Sequence, residues 1–125
     1  MTDKGGAPYI DHPLRVMAAV VGEQAKIVAV LHDVIEDCPG WTLERMKGEG
    51  FAARVLAGLD AVTKRKGEDY MDFVRRACAD PIGRKVKIAD LTDNMDLNRI
   101  RNPTLKDRTR IEKYKAALEL IATLP

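Results

Sequence analysis

Glu23-Gln24-Ala25-Lys26-Ile27-Val28-Ala29-Val30-Leu31-His32-Asp33-Val34-Ile35-Glu36-Asp37 is the stretch on which the fold turns. Between Ile27 and Ile35 seven of nine positions are apolar, and only His32 and Asp33 interrupt the run. Such a run suits a buried strand or a buried helix equally well. The length of the segment, its alanines and the polar start Glu23-Gln24 favour one helix over 23–37, ending before Pro39-Gly40.

The punctuation on either side is helical too. Pro13 opens a first helix reaching about Val21, and Gly22 breaks it. Thr42 is an N-cap for a short helix ending near Gly48–Gly50. Phe51–Thr63 carries Val55, Leu59 and Val62 at helical spacing, and Glu68–Ala79 carries Tyr70, Phe73, Val74 and Ala77 on one face. Asp80-Pro81 pairs an N-cap aspartate with proline at the first helical position, and the helix it starts is expected to reach about Asn98. Asn102-Pro103 breaks the chain again before an amphipathic helix over Leu105–Leu124. No alternating strand pattern, internal repeat or low-complexity tract occurs. The expectation is an all-α protein of about six or seven helices.

At 125 residues and 13.9 kDa the chain suits a single domain over 1–125. Hydrophobic residues at 46% exclude a disordered polymer. No apolar run approaches the roughly 20 residues of a membrane span, and Met1-Thr2-Asp3-Lys4-Gly5 is no signal peptide. A cytoplasmic protein without a membrane partner is therefore expected. Cys38 and Cys78 lack CxxC spacing and read as reduced, partly buried thiols.

The net charge of +2 hides an asymmetry. Residues 1–62 carry 6 basic against 9 acidic side chains, and residues 63–125 carry 15 against 10. Such halves suit a cation and an anion respectively, as a metal-dependent phosphate enzyme requires. Asp69, Asp72, Asp93 and Asp96 interrupt the basic stretches, and aromatics at 5% are too few for base stacking, so no nucleic-acid partner is expected. Arg75-Arg76 and Arg84-Lys85 read as solvated, Trp41 as a lid over a helix end, and Met17, Met46, Met71 and Met95 as core filler.

The chemistry concentrates at His32-Asp33, because an imidazole and a carboxylate inside an apolar helix cost several kcal/mol unless something satisfies them. Helical spacing puts His32 beside Glu36, and Asp33 beside Glu36 and Asp37. Acidic groups at a helix C-terminus oppose the macrodipole, and a divalent cation would compensate them. Further ligands are available in His12, the only other histidine, and in Asp90, with Asn94 one turn later. Two histidines and two aspartates suit Mn²⁺, Fe²⁺ or Zn²⁺.

His12, His32-Asp33 and Asp90, in this order, resemble the H…HD…D signature of HD-domain metal-dependent phosphohydrolases. The blocks Gly6–Val16, Val30–Asp37 and Val86–Asp90 with Asn94-Met95, together with Leu59–Lys64, are similar to the hydrolase domain of RelA/SpoT proteins and of single-domain small alarmone hydrolases. The resemblance covers nearly the whole chain and implies an HD-domain helical bundle. It implies one Mn²⁺ on His12, His32, Asp33 and Asp90, with Glu36 and Asp37 activating or positioning the attacking water. The implied substrate is guanosine tetra- or pentaphosphate, cleaved at its 3′-pyrophosphate to GDP or GTP plus pyrophosphate. Nucleotide contacts would fall to Lys4, Asn94, Arg110 and Tyr114, with Tyr9, Lys64 and Arg99 as contacts behind the ligands or to phosphate.

The chain departs from this pattern at one point. Where relatives commonly read Leu-His-Asn-Met or Leu-Tyr-Asn-Leu, it reads Leu91-Thr92-Asp93-Asn94-Met95-Asp96, adding negative charge beside a polyphosphate site. The metal is untouched by that change, but the substrate is less constrained. Another phosphorylated nucleotide, such as NADPH losing its 2′-phosphate, is one alternative, and a non-catalytic HD-fold module binding a nucleotide is another. Relatives also carry a leading helix ahead of the Gly-x-Pro-Tyr-Ile block, where this chain has only Met1–Gly6. Either the true start lies further upstream, or the fold lacks its first helix and a homodimer is expected to cover the groove left behind.

Overall fold

Side-chain caps set four of the helix starts. The computed structural model describes residues 11–38, 40–95 and 104–125, the side chains of Asp11 and Glu36 excepted. Among them the chain forms eight helical segments and no strand. The first, α1, spans Asp11–Ala19 and has Pro13 in its opening turn, where a missing N–H costs nothing. Gly22 then turns the chain at φ 106°, a conformation open to glycine, into α2 at Glu23–Leu31. After a single turn, α3 at Val34–Asp37, Thr42 caps α4 at Leu43–Gly48 by accepting from the Arg45 N–H at 3.1 Å. Next come α5 at Ala53–Ala61 and α6 at Tyr70–Cys78, the latter capped by Asp69. Asp80 accepts from the Gly83 N–H at 2.7 Å to start α7 at Pro81–Asn94. A reciprocal Thr104/Asp107 capping box starts α8 at Leu105–Thr123.

Two expectations about elements need correction. The single helix expected over 23–37 breaks at His32-Asp33 into α2 and the single turn α3, while the all-α fold of about six or seven helices holds. The helix expected to reach about Asn98 ends at Asn94 with Met95 as its C-cap, and positions 96–98 lie outside the described residues.

The apolar spacing buries what it should. Val16 of α1, Val20 just beyond its end, Val28 of α2, Met46, Leu59 and Val86 form one core cluster, while Val74, Leu91, Ala117 and Ile121 form a second under α8. Helix α7 runs between them, touching α1, α2, α5, α6 and α8 and supplying Val86 to one cluster and Leu91 to the other. The close approach is made by glycines. A Cβ on Gly83 would lie 2.5 Å from the Ala77 carbonyl oxygen and 2.9 Å from Ala61 Cβ.

The arginines expected to be solvated split. Arg75 is exposed, but Arg76 is half-buried and pairs with Glu68 at 2.9 Å while donating to the carbonyls of Asp60 and Thr63. Arg84 donates to the carbonyls of Ile121, Leu124 and Pro125, which ties the end of α8 to α7. Met46 is core as expected, and the Arg45 guanidinium lies 3.8 Å over the Trp41 ring. Both cysteines are free thiols, but Cys38 is exposed and only Cys78 is buried.

Candidate metal centre

Three helices meet where the chemistry gathers. The first turn of α1 contributes His12, the break between α2 and α3 contributes His32 and Asp33, and the last turns of α7 contribute Asp90, Asp93 and Asn94. Both imidazoles are buried, His12 at 8% exposure and His32 at 4%. Their rings meet edge-on with centroids 5.4 Å apart.

Each ring is held by its Nδ1 and turns its Nε2 to the same place. His32 Nδ1 donates to the Ala29 carbonyl at 2.5 Å, and its Nε2 lies 3.2 Å from Asp90 Oδ1 and 3.3 Å from Asp33 Oδ2. His12 Nδ1 donates to Asp93 Oδ2 at 2.5 Å, and its Nε2 lies 2.9 Å from the same Asp90 Oδ1. One ligand atom each from His12, His32 and Asp33 lies within 4.8 Å of the others.

The remaining contacts of Asp90 complete the electrostatics. Asn94 Nδ2 donates to its Oδ1 at 3.1 Å, and the buried Lys87 ammonium lies 3.6 Å from Oδ2. Lys87 also sits 4.5 Å from the Phe73 ring centroid and 5.4 Å from that of Tyr70. Burial works against the charged imidazole of His32, but the hydrogen bond and charge of Asp90, then the charge of Asp33, raise its pKa to about 9. His12 is raised likewise, burial being outweighed by its bonds to Asp90 and Asp93. Burial opposes the charge of Asp90, yet the two imidazoles and Lys87 hold its carboxyl far below the usual carboxylate range.

A mixed imidazole and carboxylate donor set, with both Nδ1–H groups committed to acceptors, fits a divalent transition ion in chemistry and orientation. His12, His32, Asp33 and Asp90 are the four residues that could hold it.

The other expected site residues are less tightly gathered. Asp37 is exposed at the end of α3, and the Glu36 side chain lies outside the described part of the structure. Arg110 lies 3.3 Å from Asp107 on its own helix, and Tyr114 packs with Tyr70 against the second core cluster. The Tyr114 phenol is pushed up by burial, with Arg110 pulling the other way and Asp90 reinforcing the rise. Lys64 is exposed after α5. Lys4, Tyr9, Asp96 and Arg99 lie outside the described residues.

Sequence reasoning missed Arg15, Lys87 and the true setting of Asp93. Asp93 is not loose charge. Arg15 Nε donates to its Oδ1 at 2.7 Å and Nη2 to its Oδ2 at 3.2 Å. The available signal was spacing, since Arg15 stands three residues after His12, and Lys87 and Asp93 stand three to either side of Asp90.

No family model matches the chain. Individual proteins do. A probable GTP pyrophosphokinase of Mycobacterium leprae is 33% identical over 135 aligned positions, covering 97% of this chain and 16% of that protein. A guanosine-3′,5′-bis(diphosphate) 3′-pyrophosphohydrolase of Haemophilus influenzae is 33% identical over 105, covering 72% and 15%. The chain therefore spans about one sixth of the length of these relatives. The mouse guanosine-3′,5′-bis(diphosphate) 3′-pyrophosphohydrolase MESH1 is 32% identical over 125, covering 90% of this chain and 68% of that protein. Matched at this level across two thirds of the mouse protein, the chain belongs to the RelA/SpoT-type guanosine-3′,5′-bis(diphosphate) 3′-pyrophosphohydrolase family.

Proposed function

We propose that the chain is a cytoplasmic, Mn²⁺-dependent hydrolase that removes the 3′-pyrophosphate of guanosine tetra- or pentaphosphate. The observation that carries this is the convergence of His12 Nε2 and His32 Nε2 on one Asp90 oxygen, with Asp33 alongside. The names of the relatives supply the substrate. The free thiols Cys38 and Cys78 suit a reducing compartment, and no helix among the described residues is long and apolar enough to cross a membrane.

In this reading His12, His32, Asp33 and Asp90 hold the ion. When bound, it supplies Lewis acidity toward a phosphoryl oxygen and a lowered pKa for water. Glu36 and Asp37 orient the attacking water and take its proton. Water oxygen bonds to the phosphorus next to the ribose, the bond from that phosphorus to the 3′-oxygen breaks, and the departing oxygen is protonated from solvent. The products are GDP or GTP and pyrophosphate. Lys4, Arg110 and Tyr114 hold the nucleotide, and Asn94 both steadies Asp90 and faces the ribose. Asp93 is 13% exposed and matched by Arg15 and His12, so its charge does not argue against a polyphosphate.

The test is pyrophosphate release from guanosine tetraphosphate by purified protein with Mn²⁺. Release is expected, with loss by at least about 100-fold in His32→Ala and Glu36→Gln. Turnover of NADPH but not of guanosine tetraphosphate would move the assignment to the 2′-phosphate. No turnover of either would leave the non-catalytic module.

A further inference from the structure

We infer that Asp93 and Arg15 form a relay that positions His12, so that the metal affinity of this chain depends on a carboxylate outside the ligand set. The inference deepens the metal-site reading above and rests on it. His12 needs such help because it stands in the first turn of α1, one residue from the helix start, where the helix itself constrains a side chain least.

The geometry meets that need from both ends. Asp93 Oδ2 accepts from His12 Nδ1 at 2.5 Å, which fixes the tautomer that leaves Nε2 facing Asp90. Arg15 then holds Asp93 through both carboxylate oxygens, at 2.7 and 3.2 Å. His12 and Arg15 are three apart on α1, so one aspartate of α7 is gripped by two successive contacts of the neighbouring helix. His32 obtains the equivalent support locally, from the Ala29 carbonyl. His12 obtains it from a charged group, which also raises the basicity of Nε2 toward a cation.

A clamp that merely joins α1 to α7 would produce the same contacts, so the test must read the metal. Co²⁺ is titrated into wild type, Asp93→Asn, Asp93→Ala, Arg15→Ala and the Arg15→Ala/Asp93→Ala double variant, by calorimetry and by the visible Co²⁺ spectrum. Metal-free melting is followed in parallel. Asp93→Ala is expected to lose roughly 10- to 100-fold in Co²⁺ affinity and to change the spectrum. Asp93→Asn, which keeps an acceptor for Nδ1–H, should recover part of the loss. Arg15→Ala should weaken binding alone and add little in the double variant.

Co²⁺ affinity within about twofold of wild type and an unchanged spectrum in both Asp93 variants would overturn the relay, whatever the melting shows, because the second-layer effect expected is at least several times larger. If Asp93→Ala does not fold, Asp93→Asn and Arg15→Ala decide the matter by the same criteria. A wild type that binds no Co²⁺ overturns the relay together with the metal site. A wild type that binds Co²⁺ through the relay but releases no pyrophosphate leaves the relay standing and removes only the substrate assignment.

Discussion

Arg76 shows how one side chain serves several backbones. Its guanidinium pairs with both oxygens of Glu68, at 2.9 and 3.0 Å, and donates to the carbonyls of Asp60 and Thr63, near the end of α5. A cation there complements the dipole and adds a charged donor to carbonyls at and just beyond the last turn. Arg76, followed by the Arg65 backbone N–H, holds the Glu68 carboxyl down at about 2 against an ordinary 4.5. A carboxylate depressed on folding stabilises the fold above its unfolded pKa and loses that contribution as the pH falls through its folded one. Between pH 4.5 and 2 the urea midpoint of wild type should therefore fall more steeply than that of Glu68→Gln. Parallel curves would show that the pair contributes nothing to acid stability. His32, Asp33 and Asp90 could be singled out in the sequence because polar groups in apolar surroundings demand a reason, and His12 because it is the only other histidine. Arg76, Arg15 and Lys87 could not, since a basic residue on a mixed helix looks solvated until another helix covers it.

At the scale of the element, caps were legible and breaks were not. Thr42 and Asp80-Pro81 announce α4 and α7 through side chains that act on their own neighbours, whereas α8 was legible from the Asn102-Pro103 that precedes it and not from its Thr104 cap. The break at His32-Asp33 leaves no such mark, because the apolar run continues through Val34 and Ile35. It is made by contacts remote in sequence. His32 takes a carbonyl of the last turn of α2 with Nδ1 and reaches Asp90, 58 residues on, with Nε2. The glycines divide in the same way. Gly83 looks like a weakness in α7, yet it is where α6 and α7 approach too closely for a Cβ. Gly83→Ala should cost about 1–3 kcal/mol by forcing backbone apart. Gly48 stands in the last turn of α4, and a Cβ there would meet nothing within 4 Å. Gly48→Ala should therefore gain up to about 1 kcal/mol. Thermal or urea unfolding of the two variants checks both signs, and equal effects would refute the steric account.

At the scale of the molecule, α7 joins the site to stability. It touches five other helices, divides the two core clusters and carries Asp90. His12 and His32 come from α1 and from the end of α2, in the acidic half of the chain, so an ion at their meeting point bridges that half to the basic one. The unfolded chain cannot assemble these donors, so binding free energy adds to folding free energy. Metal at about 100 times its dissociation constant adds about 2.7 kcal/mol, which for a domain of this size is a rise of about 8–10 °C in melting temperature. Adding Mn²⁺ to EDTA-treated protein should produce that rise, EDTA should reverse it, and His32→Ala should abolish it while still unfolding cooperatively. A melting temperature indifferent to Mn²⁺ in the wild type would refute the centre as a metal site, because no ion can occupy donors from three helices without holding those helices together.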